Sequence, residues 1–183
     1  ITVVTDPGLA AAVAKPGATA LHDLAQRTGA GLVIAGAIYA NGPDLELQGR
    51  LVEPLQGKQI YAVDPARGPR SKLDPAIEAL RQRILGAVAA YFDDFQFDPS
   101  VMRPPTFEAY QEMVRAWELG GRDKDEAIAH LQRALQLDPK FICTRFDIFC
   151  AYLNQGKYEE AARQIAALKP FLSGMTPFER LQY

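Results

Sequence analysis

Glu126-Ala127-Ile128-Ala129-His130-Leu131-Gln132-Arg133-Ala134-Leu135-Gln136-Leu137-Asp138-Pro139 decides the architecture of this 183-residue chain. Ile128, Leu131 and Leu135 recur at helical spacing with the small Ala127 and Ala134, so one face of the segment is apolar. The two alanines suit close approach by a second helix. Asp138-Pro139 is a stop, because the residue before a proline is driven out of the helical region. A related phrase, Gly156-Lys157-Tyr158-Glu159-Glu160-Ala161-Ala162, follows downstream. Ala127 and Ala161 are 34 positions apart. A fixed period of this length marks stacked helix pairs.

Working outward, Asp123-x-x-Glu126 is a capping box. Asp123 can accept from a first-turn amide, and Glu126 can reach back. Before it, Thr106 can cap a helix whose apolar positions include Phe107, Tyr110, Val114 and Trp117, closed by Gly120-Gly121. After it, a third helix runs from Phe141 to Gln155 and ends at Gly156. A fourth covers Tyr158 to Leu168. Thr176-Pro177-Phe178-Glu179 is a further capping box with proline at the first helical position. It opens a fifth helix close to the last residue, Tyr183. The expectation is a longer array in the parent protein, or a partner surface at this end.

These residues resemble the tetratricopeptide repeat. Trp117 and Tyr152 stand at the large residue of the first helix of each pair, Gly121 and Gly156 at the turn glycine, and Ala127 and Ala161 at the small residue of the second helix. Ala134 and Pro139 match the end of repeat one. Repeat one carries one extra residue around Gly120 to Asp123. Repeat two has Leu168 and Lys169-Pro170 where Ala and Asp-Pro are usual. The resemblance covers residues 107–170.

The first half reads differently. Ile1-Thr2-Val3-Val4-Thr5 is a β-branched strand candidate, ended by Asp6-Pro7-Gly8. Residues 9–18, broken by Lys15-Pro16-Gly17, read as a loop. Leu21, Leu24 and Ala25 mark a short helix that stops at Gly29. Leu32 to Tyr39 is a continuous apolar run, expected as a central strand covered on both faces or well buried on one. Asn41-Gly42-Pro43-Asp44 is a hairpin turn. Leu45, Leu47, Gly49 and Leu51 alternate with Glu46, Gln48 and Arg50, a strand with one wet face. Pro54 and Gly57 bend the chain, and Lys58 to Val63 continue or add a strand. Asp64 to Lys72 is expected as a surface loop. Asp74-Pro75 opens a helix with an apolar stripe of Ile77, Leu80, Ile84, Val88 and Tyr91. The segment from Asp93 to Pro105 is a proline-containing connector, where the domain boundary is expected.

The run from Leu24 to Tyr39, followed by Leu45 to Glu53, resembles the small α/β domain related to the TolB amino-terminal domain. There a helix ending in Gly-Ala leads into a strand containing a glycine, then a hairpin. Such a domain followed by tetratricopeptide repeats is similar to the sensor half of bacterial membrane-bound transcriptional regulators, receptor kinases and cyclases. The resemblance implies a sensory role outside the cytoplasm and no catalytic residues. In that family another strand and helix usually precede the segment beginning at Ile1.

Composition narrows the classes. The formal net charge is −2. Residues 1–100 carry nine Lys/Arg against eleven Asp/Glu, and residues 101–183 carry eleven of each. No basic stripe of the kind that follows a nucleic-acid backbone is visible. No apolar run approaches the roughly 20 residues that span a bilayer. The chain starts at Ile1, so a longer parent is expected, with any targeting or membrane segment outside this one. Cys143 and Cys150 lie seven apart in one helix, about 10 Å between Cα atoms, beyond disulfide reach. They read as two small core side chains.

The catalytic candidates are thin. Gly29-x-Gly31-x-x-x-x-Gly36 closes a helix and enters a strand, the reverse of a dinucleotide-binding turn. His22 and His130 have no ligand spacing. Ser71, Ser100 and Ser173 lack a nucleophile setting. Asp93, Asp94 and Asp98 lack calcium-loop spacing. Arg67, Arg70 and Lys72 could grip an anion, but a solvated loop explains them. No cofactor, metal or catalytic residue is assigned. The candidate partner-binding face is Arg115, Trp117, Arg145, Phe149 and Tyr152, large residues on the first helices of the pairs and suited to a hot spot. The alternative is that Trp117, Phe149 and Tyr152 are core between repeats.

The expected fold class is α+β. A small α/β domain with a mixed sheet, residues 1–98, precedes an all-α tetratricopeptide-type array, residues 106–183. The expected function is a non-catalytic interaction or sensory module that binds a protein or peptide. The alternatives are a structural or homo-oligomerising scaffold and a small-molecule sensor with an interdomain pocket.

Overall fold

The computed structural model describes residues 18–93, 103–119 and 121–174. The strand expected at Ile1 to Thr5, the helix expected from Thr176, and Gly120, Asp94, Asp98 and Ser100 lie outside them. The chain divides into two compact units, Ile1–Ile84 and Leu85–Tyr183.

In the first unit, helix α1 (Ala18–Thr28) leads into strands β1 (Val33–Asn41), β2 (Asp44–Glu53) and β3 (Lys58–Pro69), then helix α2 (Asp74–Phe92). α1 stops as expected. Gly29 adopts φ 70°, a left-handed conformation that glycine takes without a Cβ penalty, and its N–H donates to the Ala25 carbonyl at 2.7 Å. Among the described residues the sheet is antiparallel, in the order β1-β2-β3. The β1–β2 hairpin closes at Asn41 opposite Asp44, with Gly42 at φ 58°.

Two expectations are corrected here. β1 is an edge strand among the described residues, with Ile34, Ile38 and Tyr39 exposed and Ala35 its buried residue. The central strand is β2, where Leu47, Gly49 and Leu51 turn one face inward. A continuous apolar run is compatible with a buried strand but does not require one. The loop expected from Asp64 is strand as far as Pro69. Pro65 falls in the gap of the ladder between Val63 and Ala66, where the register shifts, and Pro69 is the last residue of the strand, so both stand where a proline is tolerated.

The first half of α2 covers the β2–β3 face. Leu80 and Ile84 lie against Gly49, where a Cβ would sit 3.1 Å from the Ile84 Cδ1. Leu47, Ala66 and Ala76 form a small core there, with Ala79 and Leu80 beside it. The expected stripe is shifted: Ile77 is exposed, and the buried α2 residues include Ala76, Ala87 and Ala90. The division between units falls within α2, ahead of the connector from Asp93 to Pro105.

The second unit is built of helix pairs. α3 (Phe107–Glu118) packs on α4 (Lys124–Leu137), α4 on α5 (Ile142–Asn154), and α5 on α6 (Tyr158–Ala166), followed by a 3-10 turn at Lys169–Gly174. Gly121 at φ 81° and Gly156 at φ 71° turn the chain after α3 and α5. The cap of α4 forms as expected, Asp123 Oδ1 accepting from the Glu126 N–H at 2.9 Å. Thr106 stands at the start of α3 but makes no side-chain cap; its backbone N–H donates to Asp138 Oδ2 at 3.0 Å. Ala109, Met113, Ala116, Leu131, Ala134, Phe141 and Ile148 form one buried core through both repeats. Ile142 and Leu168 form a second, flanked by Phe146, Ile165, Phe171 and Leu172.

Candidate functional site

The first helices of the two pairs, α3 and α5, carry the five candidate partner-binding residues, in differing surroundings. Trp117 and Tyr152 are half-buried against the main core of the repeats. The Tyr152 hydroxyl accepts from Gln132 Nε2 at 3.3 Å, and Lys157 Nζ stands 6.0 Å from its ring centre. Arg115 is exposed and paired with Glu112 on its own helix. Arg145 is half-buried with its guanidinium 5.8 Å over the Phe171 ring, and burial lowers its pKa. Phe149 is half-buried.

Two acids that sequence reasoning passed over mark this part of the molecule. Glu112, on α3, is only 8% exposed. Its Oε2 lies 2.8 Å from His130 Nδ1 and accepts from Arg133 Nε at 2.9 Å, while Oε1 accepts from Arg115. His130 Nδ1 is also 2.6 Å from Arg133 Nη2. Burial alone would raise the Glu112 pKa, but the bonds from His130 and Arg133 and the charges of Arg115 and Arg133 outweigh it, and the net shift is downward. His130, which looked solitary in the sequence, is therefore one member of a part-buried hydrogen-bonded cluster joining α3 to α4.

Asp147, on α5, is the opposite case. It accepts a hydrogen bond from Trp117, yet burial dominates and pushes its carboxyl up to about 6. Its Oδ2 is buried without a hydrogen-bond partner, as is the hydroxyl of Thr144 one turn earlier. Trp117 is thereby tied to α5.

The remaining candidates are dispersed. Arg67 is paired with Glu46 at 2.6 Å, and Arg70 and Lys72 are exposed. Arg83 Nη1 donates to the carbonyls of Asp64 and Pro65 at 3.0 and 2.7 Å, beside a shallow hollow lined by Pro65, Arg67, Pro75 and Ala79. His22 Nδ1 lies 3.9 Å from Asp23. Asp93 accepts from the Tyr110 hydroxyl at 2.6 Å. Ser71 and Ser173 are exposed. Neither cysteine forms a disulfide. Among the described residues, no group of three or more His, Cys, Asp or Glu is placed to hold a metal. No described helix is long and apolar enough to cross a membrane.

No curated protein and no solved structure matches the chain at a significant level. Residues 120–171, which span α4, α5, α6 and the start of the 3-10 turn, match the tetratricopeptide repeat family, whose repeats generally mediate protein–protein interaction and are typically non-catalytic.

Proposed function

We propose that the chain is a non-catalytic protein-interaction or sensory module of a bacterial signalling or regulatory protein, which docks a protein or peptide on its helix pairs. In this reading residues 1–98 are a TolB-amino-terminal-like domain, residues 106–183 are the repeats, and the module is the extracytoplasmic part of a membrane-anchored protein. The observation that carries the docking role is the pair of stacked helix hairpins on a shared core, three of whose four helices lie in the stretch that matches the repeat family. Arg115 and Trp117 on α3 and Arg145, Phe149 and Tyr152 on α5 are the residues to which contact is assigned. Exposed Arg115 offers a charge. Half-buried Trp117 and Tyr152 offer aromatic area already held in place by the core, which limits the ordering cost of binding.

The test is selection of peptides from a random display library against the immobilised chain, followed by alanine substitution of Arg115 and Arg145. Binding lost on substitution, with unchanged circular dichroism, supports the docking face. Selection of no peptide, or binders indifferent to both substitutions, overturns it. Mass that rises with concentration would favour the homo-oligomeric scaffold instead.

A further inference from the structure

The hollow beside Arg83 lies wholly in the first unit, lined by residues of β3 and the first half of α2. Its volume is about 470 Å3, inside the roughly 300–1,000 Å3 of small-molecule sites. The β2–β3 ladder shapes it. Leu47 pairs with Ala66 and Gly49 with Val63, so the register shifts and Asp64 and Pro65 fall outside the pairing. Irregularities of this kind recur beside functional sites, where they re-aim groups. Here the carbonyls of both residues accept from Arg83 Nη1, at 3.0 and 2.7 Å. One nitrogen of the guanidinium is thereby anchored, while Nε and Nη2 have no hydrogen-bond partner among the described residues. Arg67, which also lines the hollow, is fixed through Nε and Nη2 to Glu46 Oε2, both at 2.6 Å. The apolar lining is small. Ala66 and Ala76 are buried beneath it, and Pro65 and Pro75 stand exposed at its edge.

We propose that this hollow binds a small aromatic carboxylate, with the ring on the alanines and prolines and the carboxylate on Arg83 and Arg67. The site stands apart from the docking role assigned to α3 and α5. Three observations carry it. The guanidinium fork of arginine matches a carboxylate, and its plane also takes an aromatic face. Both guanidiniums are already held, Arg83 by carbonyls and Arg67 by Glu46, so little ordering remains for a ligand to impose. Glu46 neutralises Arg67, which makes Arg83 the stronger attraction for an anion. Alanines leave room for a flat ring, and an apolar lining with few fixed polar groups is the usual composition of a small-molecule site. A bare inorganic anion would use the arginines and leave the apolar lining wet.

The test is a titration of the full 15N-labelled chain with naphthalene-2-carboxylate, with the neutral naphthalene-2-carboxamide, and with inorganic phosphate, at fixed pH and ionic strength, followed by amide NMR shifts. The expected result is saturable shifts at Ala66, Ala76 and Ala79 with the carboxylate, and binding roughly tenfold or more weaker with the carboxamide and with phosphate. Arg83→Met, which keeps the apolar stem, is expected to weaken the carboxylate about tenfold. Arg83 also ties α2 to β3, so Ala79→Leu gives a second variant. It keeps both arginines and fills the hollow, and is expected to abolish the saturable shifts. Equal binding of the carboxamide or of phosphate, binding that survives Ala79→Leu, or shifts that do not cluster at the hollow overturn the proposal. So does a lack of saturation up to about 10 mM, beyond the range of a weak specific site. Peptide docking is scored separately by Arg115 and Arg145, so either reading can fail without the other.

Discussion

Arg103 Nη1 lies 3.1 Å from one carboxylate oxygen of Asp138 and 3.0 Å from the other. Asp138 is 4% exposed and also accepts from the backbone N–H groups of Thr106 and Lys140. One side chain therefore joins the segment before α3, the end of α4 and the entry to α5. Removing one partner of a buried, hydrogen-bonded pair leaves the other partner and two amides unsatisfied. Asp138→Ala is expected to lower stability by about 3 kcal/mol, read as a lower urea midpoint with an unchanged slope. Arg103, which is more exposed, is expected to cost less when replaced by Met, because its stem packing is kept and Asp138 retains both amide donors.

The second half of α2 is held by a close backbone approach. A Cβ at Gly86 would collide with the carbonyl oxygen of Pro105 and crowd the Phe107 amide nitrogen. Both neighbours are backbone and cannot rotate away. Gly86→Ala normally favours a helix by up to about 1 kcal/mol. Here it is expected to destabilise instead, by roughly 1–3 kcal/mol. A thermal melt decides the sign: a higher Tm for the alanine variant would mean that α2 stands further from Pro105 than described.

Leu51 and Ile38 test which strand carries the core. Leu51 is 0% exposed on β2, and Ile38 is 69% exposed on β1. Leu51→Ala is expected to cost about 2–5 kcal/mol through lost burial and a residual cavity. Ile38→Thr keeps β-branching and is expected to stay within about 0.5 kcal/mol of the parent. Equal losses at the two sites would return β1 to the central role that its apolar run suggests.

The contrast shows what the sequence carries. The repeat period was legible because helix contacts demand small residues at Ala127 and Ala161 and left-handed glycines at 121 and 156, all local requirements. The cap at Asp123 and the hairpin at Asn41 to Asp44 were legible for the same reason. The place of β1 was not, since the composition of a strand does not say how many neighbours it has. Nor was the role of Asp138, whose partner Arg103 is distant in sequence and meets it only once α3 and α4 are packed. Among the candidate site residues, size and charge could be read, but not that Arg145 turns to Phe171 while Trp117 turns to Asp147. Nor could it be read that Glu112 meets His130 and Arg133 while Asp147 meets Trp117.

Those two acids are expected to respond to pH with opposite signs. Glu112 has its pKa held below the ordinary 4.5 in the folded protein. The unfolded chain then binds the proton more readily, so the stability it contributes is full above that value and is lost as pH falls through the folded pKa. Asp147 is raised from 3.8 to about 6. The folded protein then binds the proton more readily, so the group favours folding below pH 3.8, and that advantage drains away as pH rises to about 6. Glu112→Gln is expected to lower stability at neutral pH by roughly 1–2 kcal/mol, a buried pair discounted for two half-exposed arginines, and to flatten the acid limb of a stability–pH profile. Asp147→Asn keeps the acceptor for Trp117 and removes a buried charge. It is expected to raise stability at neutral pH by up to roughly 3 kcal/mol and to abolish the decline between pH 4 and pH 6, a window set by the raised carboxyl. Urea melts of both variants across this range provide the check. A neutral-pH loss on Asp147→Asn would mean that the carboxylate is already satisfied within the chain.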